Sequence, residues 1–225
     1  MHRYRVPIPK GQVAFSATEA FNVARSFGSD FAPRQFVVKA QVKTEGRIEG
    51  YFKENGYHGG VHTLSTISEV RDCSEKMLGK MYVGEGTDDE GFIVNCVYIQ
   101  EKLDIETEIY LQIKLDSKTQ QPVIIYSRHG GMSLERIMRL HPRELYILNV
   151  DFIKGLSFSE LMKVSRNLGI PNCESKLAFL IMNCYECFVQ RDCYDLLINP
   201  LVWTKCHNFR AANPRMEIDE ASLYR

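Results

Sequence analysis

The apolar residues of this chain come in short runs, and between those runs stand helices with their own start and stop signals. No run reaches the about 18 residues that a membrane-spanning helix needs. The nearest stretch, residues 177–189, is broken by Asn183 and Glu186. Leu177-Ala178-Phe179-Leu180-Ile181-Met182 therefore reads as a buried helix. Strands are read at Phe36-Val37-Val38-Lys39-Ala40-Gln41-Val42, at Gly60-Val61-His62-Thr63-Leu64, and over residues 94–100, 108–114, 122–126 and 196–202. The strands from 94 to 126 read as one antiparallel meander that turns at Asp116-Ser117-Lys118-Thr119. Residues 196–202 and 208–212 read as a closing hairpin.

Helix signals are explicit. Ser16-Ala17-Thr18-Glu19 has the spacing of a capping box, and the helix it opens runs through Arg25 and stops near Gly28. Ser68 reads as the cap of a helix to Leu78, ended by Gly79. Ser133 opens a helix toward Leu140. A helix over 157–167 ends at Gly169, and the helix over 174–190 is the longest. Residues 44–60, rich in glycine and charge, read as a long loop. Helices mixed with mostly antiparallel strands predict an α/β (α+β) chain of two interlocked lobes.

Composition narrows the function. The 225 residues carry 28 Lys and Arg against 28 Asp and Glu. That balance, with the basic residues scattered, supplies no field for nucleic acid or an anionic membrane. Seven cysteines, an odd count at loose spacing, do not suggest a disulfide framework. Cys184-Tyr185-Glu186-Cys187, with Cys193, Cys206 and His207, can be drawn as a zinc site. The stronger reading places Cys184 and Cys187 on one face of an apolar helix, reduced and without metal.

The order of motifs then becomes specific. Val38-Lys39-Ala40-Gln41-Val42, His129-Gly130-Gly131, Ile198-Asn199-Pro200-Leu201-Val202 and Ile218-Asp219-Glu220-Ala221-Ser222-Leu223-Tyr224-Arg225 follow one another at family-like spacing. Together they resemble the nucleotide-binding, ATP-grasp half of the succinyl-CoA synthetase (succinate–CoA ligase) β subunit. The resemblance implies a two-lobed ATP-grasp fold as a single domain over 1–225, with a smaller lobe at about 15–92. It implies that the family's C-terminal CoA-ligase domain is absent. Lys39 takes the position of a lysine that meets nucleotide phosphate, and Asn199 is expected across a cleft from it. Glu101 and Glu108 take positions near the base and sugar. Ser127-Arg128-His129-Gly130-Gly131 matches a small glycine loop at the active site.

Departures from the family accompany these matches. Its glycine- and lysine-rich phosphate loop is matched by Glu45-Gly46-Arg47-Ile48-Glu49-Gly50, where Gly46 and Arg47 remain. Two carboxylates there repel a triphosphate, and Ile48 blocks the close backbone approach that glycine allows. Asn199 and Asn213 stand at the metal positions. Leu197 replaces a family glutamate and Asn213 a family aspartate, which strips anionic oxygen from a magnesium shell. The nucleotide and metal residues are therefore read as vestigial.

The resulting expectation is a catalytically inactive ATP-grasp protein serving as an accessory subunit of a larger complex on the matrix side of the mitochondrion. No cofactor is expected, or ATP or GTP with magnesium if the ancestral site is retained. The alternatives are a divergent ligase β subunit that still binds nucleotide and magnesium beside a separate partner, and a nucleotide-sensing module. Protein partners are expected at residues 1–5, 136–146 and 203–210, where arginine and aromatic residues cluster.

Overall fold

The computed structural model describes residues 1–27, 35–42, 49–84, 87 and 90–222. The chain divides into two compact units, Pro9–Leu103 and Met1–Ile8 with Asp104–Arg225. The smaller unit thus extends on both sides of the expected 15–92.

In the smaller unit, β1 (Gly11–Ala14), β2 (Phe36–Ala40), β4 (Val61–Leu64) and β7 (Val97–Glu101) form an antiparallel sheet in the order β1-β7-β2-β4. Three short strands, β3 (Tyr51–Phe52), β5 (Met81–Val83) and β6 (Phe92–Ile93), form a second sheet. Helices α1 (Ala17–Ser26) and α2 (Ile67–Met77) cover one face of the first. Strand alternation decides which residues meet them. Phe36, Val38 and Ala40 are buried with Ala20, Val23, Val70, Met77 and Ile99, whereas Val37 and Lys39 take the other face. Each fully buried Val, Ile, Phe or Met side chain among them contributes about 1.5–3 kcal/mol.

The larger unit holds six strands and three α-helices among the described residues. The strands are β8 (Ile105–Leu115), β9 (Pro122–Ser127), β10 (Leu145–Asn149), β11 (Cys193–Thr204), β12 (Phe209–Ala211) and β13 (Pro214–Ile218). They run β10-β9-β8-β11-β12, all antiparallel, and β13 also pairs with β11. Helices α4 (Phe158–Leu168) and α5 (Glu174–Gln190) pack on one face, against Ile109, Leu111, Ile113, Leu196 and Ile198. On the other face Ile137 of α3 (Leu134–Leu140) packs against Tyr110, Val123 and Ile125.

Two expectations change and one open reading is decided. Residues 94–100 do not join the meander of 108–126. β7 is hydrogen-bonded to β1 on one edge and to β2 on the other, and Val97 and Ile99 face the smaller unit's helices. With both edges used and its apolar face committed, it has no place in the other sheet. The cap of α2 is Thr66, not Ser68: the glutamate that completes the box, Glu69, lies three residues after Thr66. Trp203, which the sequence left open between a partner surface and the core, is only 2% exposed; it packs on Phe209 in the core and stacks with the exposed ring of His207. β10 and β13 were not anticipated.

The other helix signals hold. Ser16, Ser133 and Ser157 accept from the backbone N–H three residues on. α4 ends at Gly169 with φ +65°, a left-handed cap that glycine adopts without strain. α5 spans Glu174–Gln190, and Cys184 and Cys187 face the core from it. The stop expected at Gly28 lies outside the described residues.

Two predictions follow from the caps. Ser157 and Glu160 exchange hydrogen bonds at the start of α4. Ser157→Ala removes the acceptor for a first-turn N–H and should cost about 1 kcal/mol in a urea titration. An unchanged midpoint would show that the cap contributes nothing. The same bonds set a pH dependence. The Ser157 hydroxyl and backbone N–H hold the Glu160 carboxyl below its ordinary value, and the Ser65 and Thr66 N–H groups do so for Glu69. A depressed carboxyl contributes stability that is present above its unfolded pKa, about 4.3, and is lost as pH falls through the folded value. Stability should therefore decline as pH drops below that range, and Glu69→Gln with Glu160→Gln should flatten the decline. Identical acid profiles for the parent and the double variant would refute this.

Candidate functional site

Lys39 lies near the centre of the smaller unit's sheet, on the face turned away from α1 and α2. Its Nζ donates to Oε1 of Gln100 at 3.0 Å, across the β2–β7 pair. Gln100 is itself buried, so its amide is a fixed neutral acceptor that aims the ammonium. A lysine held this way presents a point charge to an anion. Glu101, one residue on, serves the fold: its Oε1 accepts from the Lys10 N–H at 3.0 Å and its own N–H donates to the Lys10 carbonyl. Gly46 and Arg47 lie outside the described residues. Of the same loop, Glu49 is exposed and Gly50 is buried. The Gly50 N–H donates to the Tyr82 hydroxyl at 3.0 Å, and a Cβ on Gly50 would strike that hydroxyl and the Val83 carbonyl.

The larger unit brings Glu108, the glycine loop, Asn199 and Asn213 to one place. Gly130 crosses β8 so closely that an added Cβ would sit 2.6 Å from the Glu108 carbonyl carbon and the Ile109 nitrogen. The Gly130 N–H donates to the Glu108 carbonyl at 3.1 Å. The Gly131 N–H donates to Asn199 Oδ1 at 2.7 Å, and Asn199 Nδ2 donates to the Met132 carbonyl at 2.9 Å. The carboxamide of Asn199 thus clamps the loop. It stands where β11 breaks register against β8, between Ile198 and Leu201. Asn213 faces it from the turn between β12 and β13. Asn213 Nδ2 donates to the Asn199 carbonyl at 3.2 Å, and the Asn199 N–H donates to the Asn213 carbonyl at 3.3 Å.

The same geometry supplies an anionic oxygen. A Cβ on Gly131 would lie 3.3 Å from Glu108 Oε2, so Glu108 and Asn199 both border this residue. Burial raises the Glu108 carboxyl above its ordinary value, as expected of a carboxylate short of water. Asp195 lies on the face of β11 that also carries Leu197, and Gln112 Nε2 donates to its Oδ2 at 2.7 Å. Four residues of strand span about 13 Å, too far for Asp195 and Asn199 to share one ion. Leu197 packs with Tyr110, Val123, Ile125 and Ile137.

Magnesium is held by hard oxygen donors, often one or two carboxylates with substrate phosphates. The Glu108 carboxylate and the Asn199 Oδ1 fit that requirement. Sequence reading missed this because it placed Glu108 beside base and sugar and looked for the acid at 197 and 213.

A second group of metal-capable side chains was also missed. One ligand atom each from His129, His141 and Glu144 lies within 4.8 Å of the others. His129 Nε2 is 2.9 Å from Glu144 Oε2, and the two imidazole rings stack with centroids 3.7 Å apart and planes 13° apart. The visible signal was the i, i+3 spacing of His141 and Glu144 around Pro142. His129, twelve residues earlier, gave no local hint. The expectation that the chain has no place for a cofactor is corrected by this group and by the Glu108–Asn199 oxygen pair. The cysteines are a different matter. Burial raises the thiols of Cys184 and Cys187, and pushes Cys173 and Cys193 up to about 11. In the metal-free chain, burial thus keeps these thiols protonated.

The profile of the ATP-grasp domain matches residues 1–203. The succinate–CoA ligase [ADP-forming] subunit β of Paracoccus denitrificans is 33% identical over 228 residues, covering 100% of this chain and 56% of that protein. The mitochondrial succinate–CoA ligase [ADP-forming] subunit β of Saccharomyces cerevisiae is 33% identical over 202 residues, covering 89% of this chain and 46% of that protein. The chain therefore spans about half the length of these relatives. Among solved structures, the dinucleotide-forming acetyl-coenzyme A synthetase 1 of Ca. Korarchaeum cryptofilum, in complex with coenzyme A, Ca-AMPCP and HgCl+, superposes with a TM-score of 0.62 at 15% identity. That match covers 97% of this chain and 89% of the other and establishes a shared fold. By its profile, its identity to these subunits over most of its own length and its two-unit α/β architecture, the chain belongs to the ATP-grasp family and is a homologue of the succinate–CoA ligase β subunit.

Proposed function

We propose that this chain is the nucleotide-binding part of a divergent succinate–CoA ligase-type β subunit, taking ATP or GTP with magnesium and working beside a separate protein partner. The observation that carries the proposal is the intact loop clamp. Asn199 holds Gly131 and Met132, and a half-buried carboxylate, Glu108, borders the same loop.

In this reading Lys39 attracts phosphate, and Gln100 keeps its ammonium aimed. Asn199 positions the Gly130–Gly131 backbone, and Glu108 and Asn199 present oxygen to the metal carried by the nucleotide. Magnesium, when bound, neutralises phosphate charge during phosphoryl transfer. A mitochondrial location and a protein partner belong to the same proposal; the yeast relative is named as a mitochondrial β subunit. A second reading, a catalytically silent accessory subunit, is favoured by one observation: Leu197 is given over to an apolar cluster and Asn213 offers no charge.

Isothermal titration separates the readings. ATP or GTP with magnesium should bind below about 1 mM, which corresponds to about −4 kcal/mol. Lys39→Ala should weaken binding at least about tenfold, or about 1.4 kcal/mol, with little change in folding, because Lys39 lies off the core face. Absence of heat and of thermal shift at millimolar nucleotide would remove the proposal and leave the accessory reading.

A further inference from the structure

We propose that His129, His141 and Glu144 form a binding site for one zinc-like divalent ion, separate from any magnesium that accompanies nucleotide. The fold assembles these residues from three places. β9 and β10 pair with Ser127 opposite Leu145. That register brings the residue just beyond the end of β9 close to the residue just before β10. His129 lies two positions past Ser127 and Glu144 lies one before Leu145. Between them, α3 ends at His141, whose N–H donates to the Ile137 carbonyl at 2.7 Å. Pro142 then starts a 3₁₀ turn over Pro142–Glu144, and the Glu144 N–H donates to the His141 carbonyl at 3.0 Å. In a 3₁₀ turn, positions i and i+3 eclipse, so His141 and Glu144 project from one side, toward His129.

The donor set determines the ion. Two imidazoles and a carboxylate suit zinc, cobalt or nickel, whereas magnesium prefers oxygen alone. Zinc ligands lie about 2.0–2.2 Å from the ion, so neighbouring donors in a tetrahedron are roughly 3.4 Å apart. The three donors already lie within 4.8 Å of one another, and side-chain rotation closes the rest. The His129–Glu144 contact is already shorter than the required spacing, at 2.9 Å. An ion inserted there replaces the hydrogen bond. The proton on His129 Nε2 shifts to Nδ1, so a neutral imidazole stays neutral. The ring stack is parallel, so His141 turns to direct a lone pair at the ion. Three protein ligands leave a fourth position to water or an exogenous group. The site is half-buried, with the His129 and Glu144 side chains 20% and 44% exposed, so an ion reaches it from solvent.

The test uses the full 225-residue chain, reduced and stripped of metal by a chelator. Cobalt(II) is titrated and followed by its visible absorption, then displaced with zinc. One ion per chain should bind, with no sulfur-to-cobalt charge-transfer band. Glu144→Gln retains an acceptor for His129 but loses the anionic ligand. It should fold as the parent does by circular dichroism and bind at least about tenfold more weakly. His141→Ala should do the same. Zinc should raise the melting temperature of the parent and not of Glu144→Gln. A thiolate band, parent-like affinity in Glu144→Gln, or equal competition by magnesium would each overturn the proposal. None of these results depends on whether nucleotide binds.

Discussion

β8 is the strand on which the larger unit depends. It is hydrogen-bonded to β9 on one edge and β11 on the other, and its central residues are buried on both faces. A strand so placed must satisfy two cores. Ile109, Leu111 and Ile113 fill the face under α4 and α5, and Tyr110 fills the face under α3. Gln112 is the polar exception. It accepts from the Tyr110 hydroxyl at 2.8 Å and donates to Asp195, so its burial leaves no orphaned group. The Gly130 loop crosses this strand at Glu108, where the backbone-to-backbone approach excludes any side chain. Fold and site are therefore coupled through one strand: whatever shifts β8 shifts the loop that Asn199 holds.

The chemistry of the site is that of an ATP-grasp protein with altered charge. Under the proposed function, Asn213 offers a divalent ion a carboxamide and Leu197 offers it no oxygen, and Glu108 would supply the anionic oxygen from another strand. Its carboxyl is raised by burial, and a cation nearby would lower it again. Bound metal and ionised Glu108 therefore stabilise each other, which is the ordinary linkage between a ligand and a perturbed group.

Much of the fold was legible because its signals are local. Ser157, Glu160 and Gly169 lie within one helix length, and each does what its type does at that position. Thr66 was passed over for Ser68 because both are capping residues two positions apart, and only the distance to Glu69 separates them. β7 was misplaced because strand periodicity says which face is apolar but not which sheet receives it. Lys39 and Asn199 stood out as site candidates because they sit in recognisable strings. What the sequence did not show was the place of Glu108 beside the Gly131 loop and the meeting of His129 with His141 and Glu144, because these neighbours are set by the β8–β9–β10 register and the turn at Pro142. Long-range pairing carries no mark in any one segment.

The cysteines, read first as a question of metal or no metal, acquire a different meaning from their positions. Cys173, Cys184, Cys187 and Cys193 belong to the core of the larger unit, Cys73 to the core of the smaller, and Cys206 is exposed. Buried thiols with raised pKa values are inert to electrophiles. They become reactive only when their surroundings open. The chain thus carries a separate chemical clock in each unit, so the opening of one can be timed against the other from modification at Cys73 and at the four thiols packed around α5.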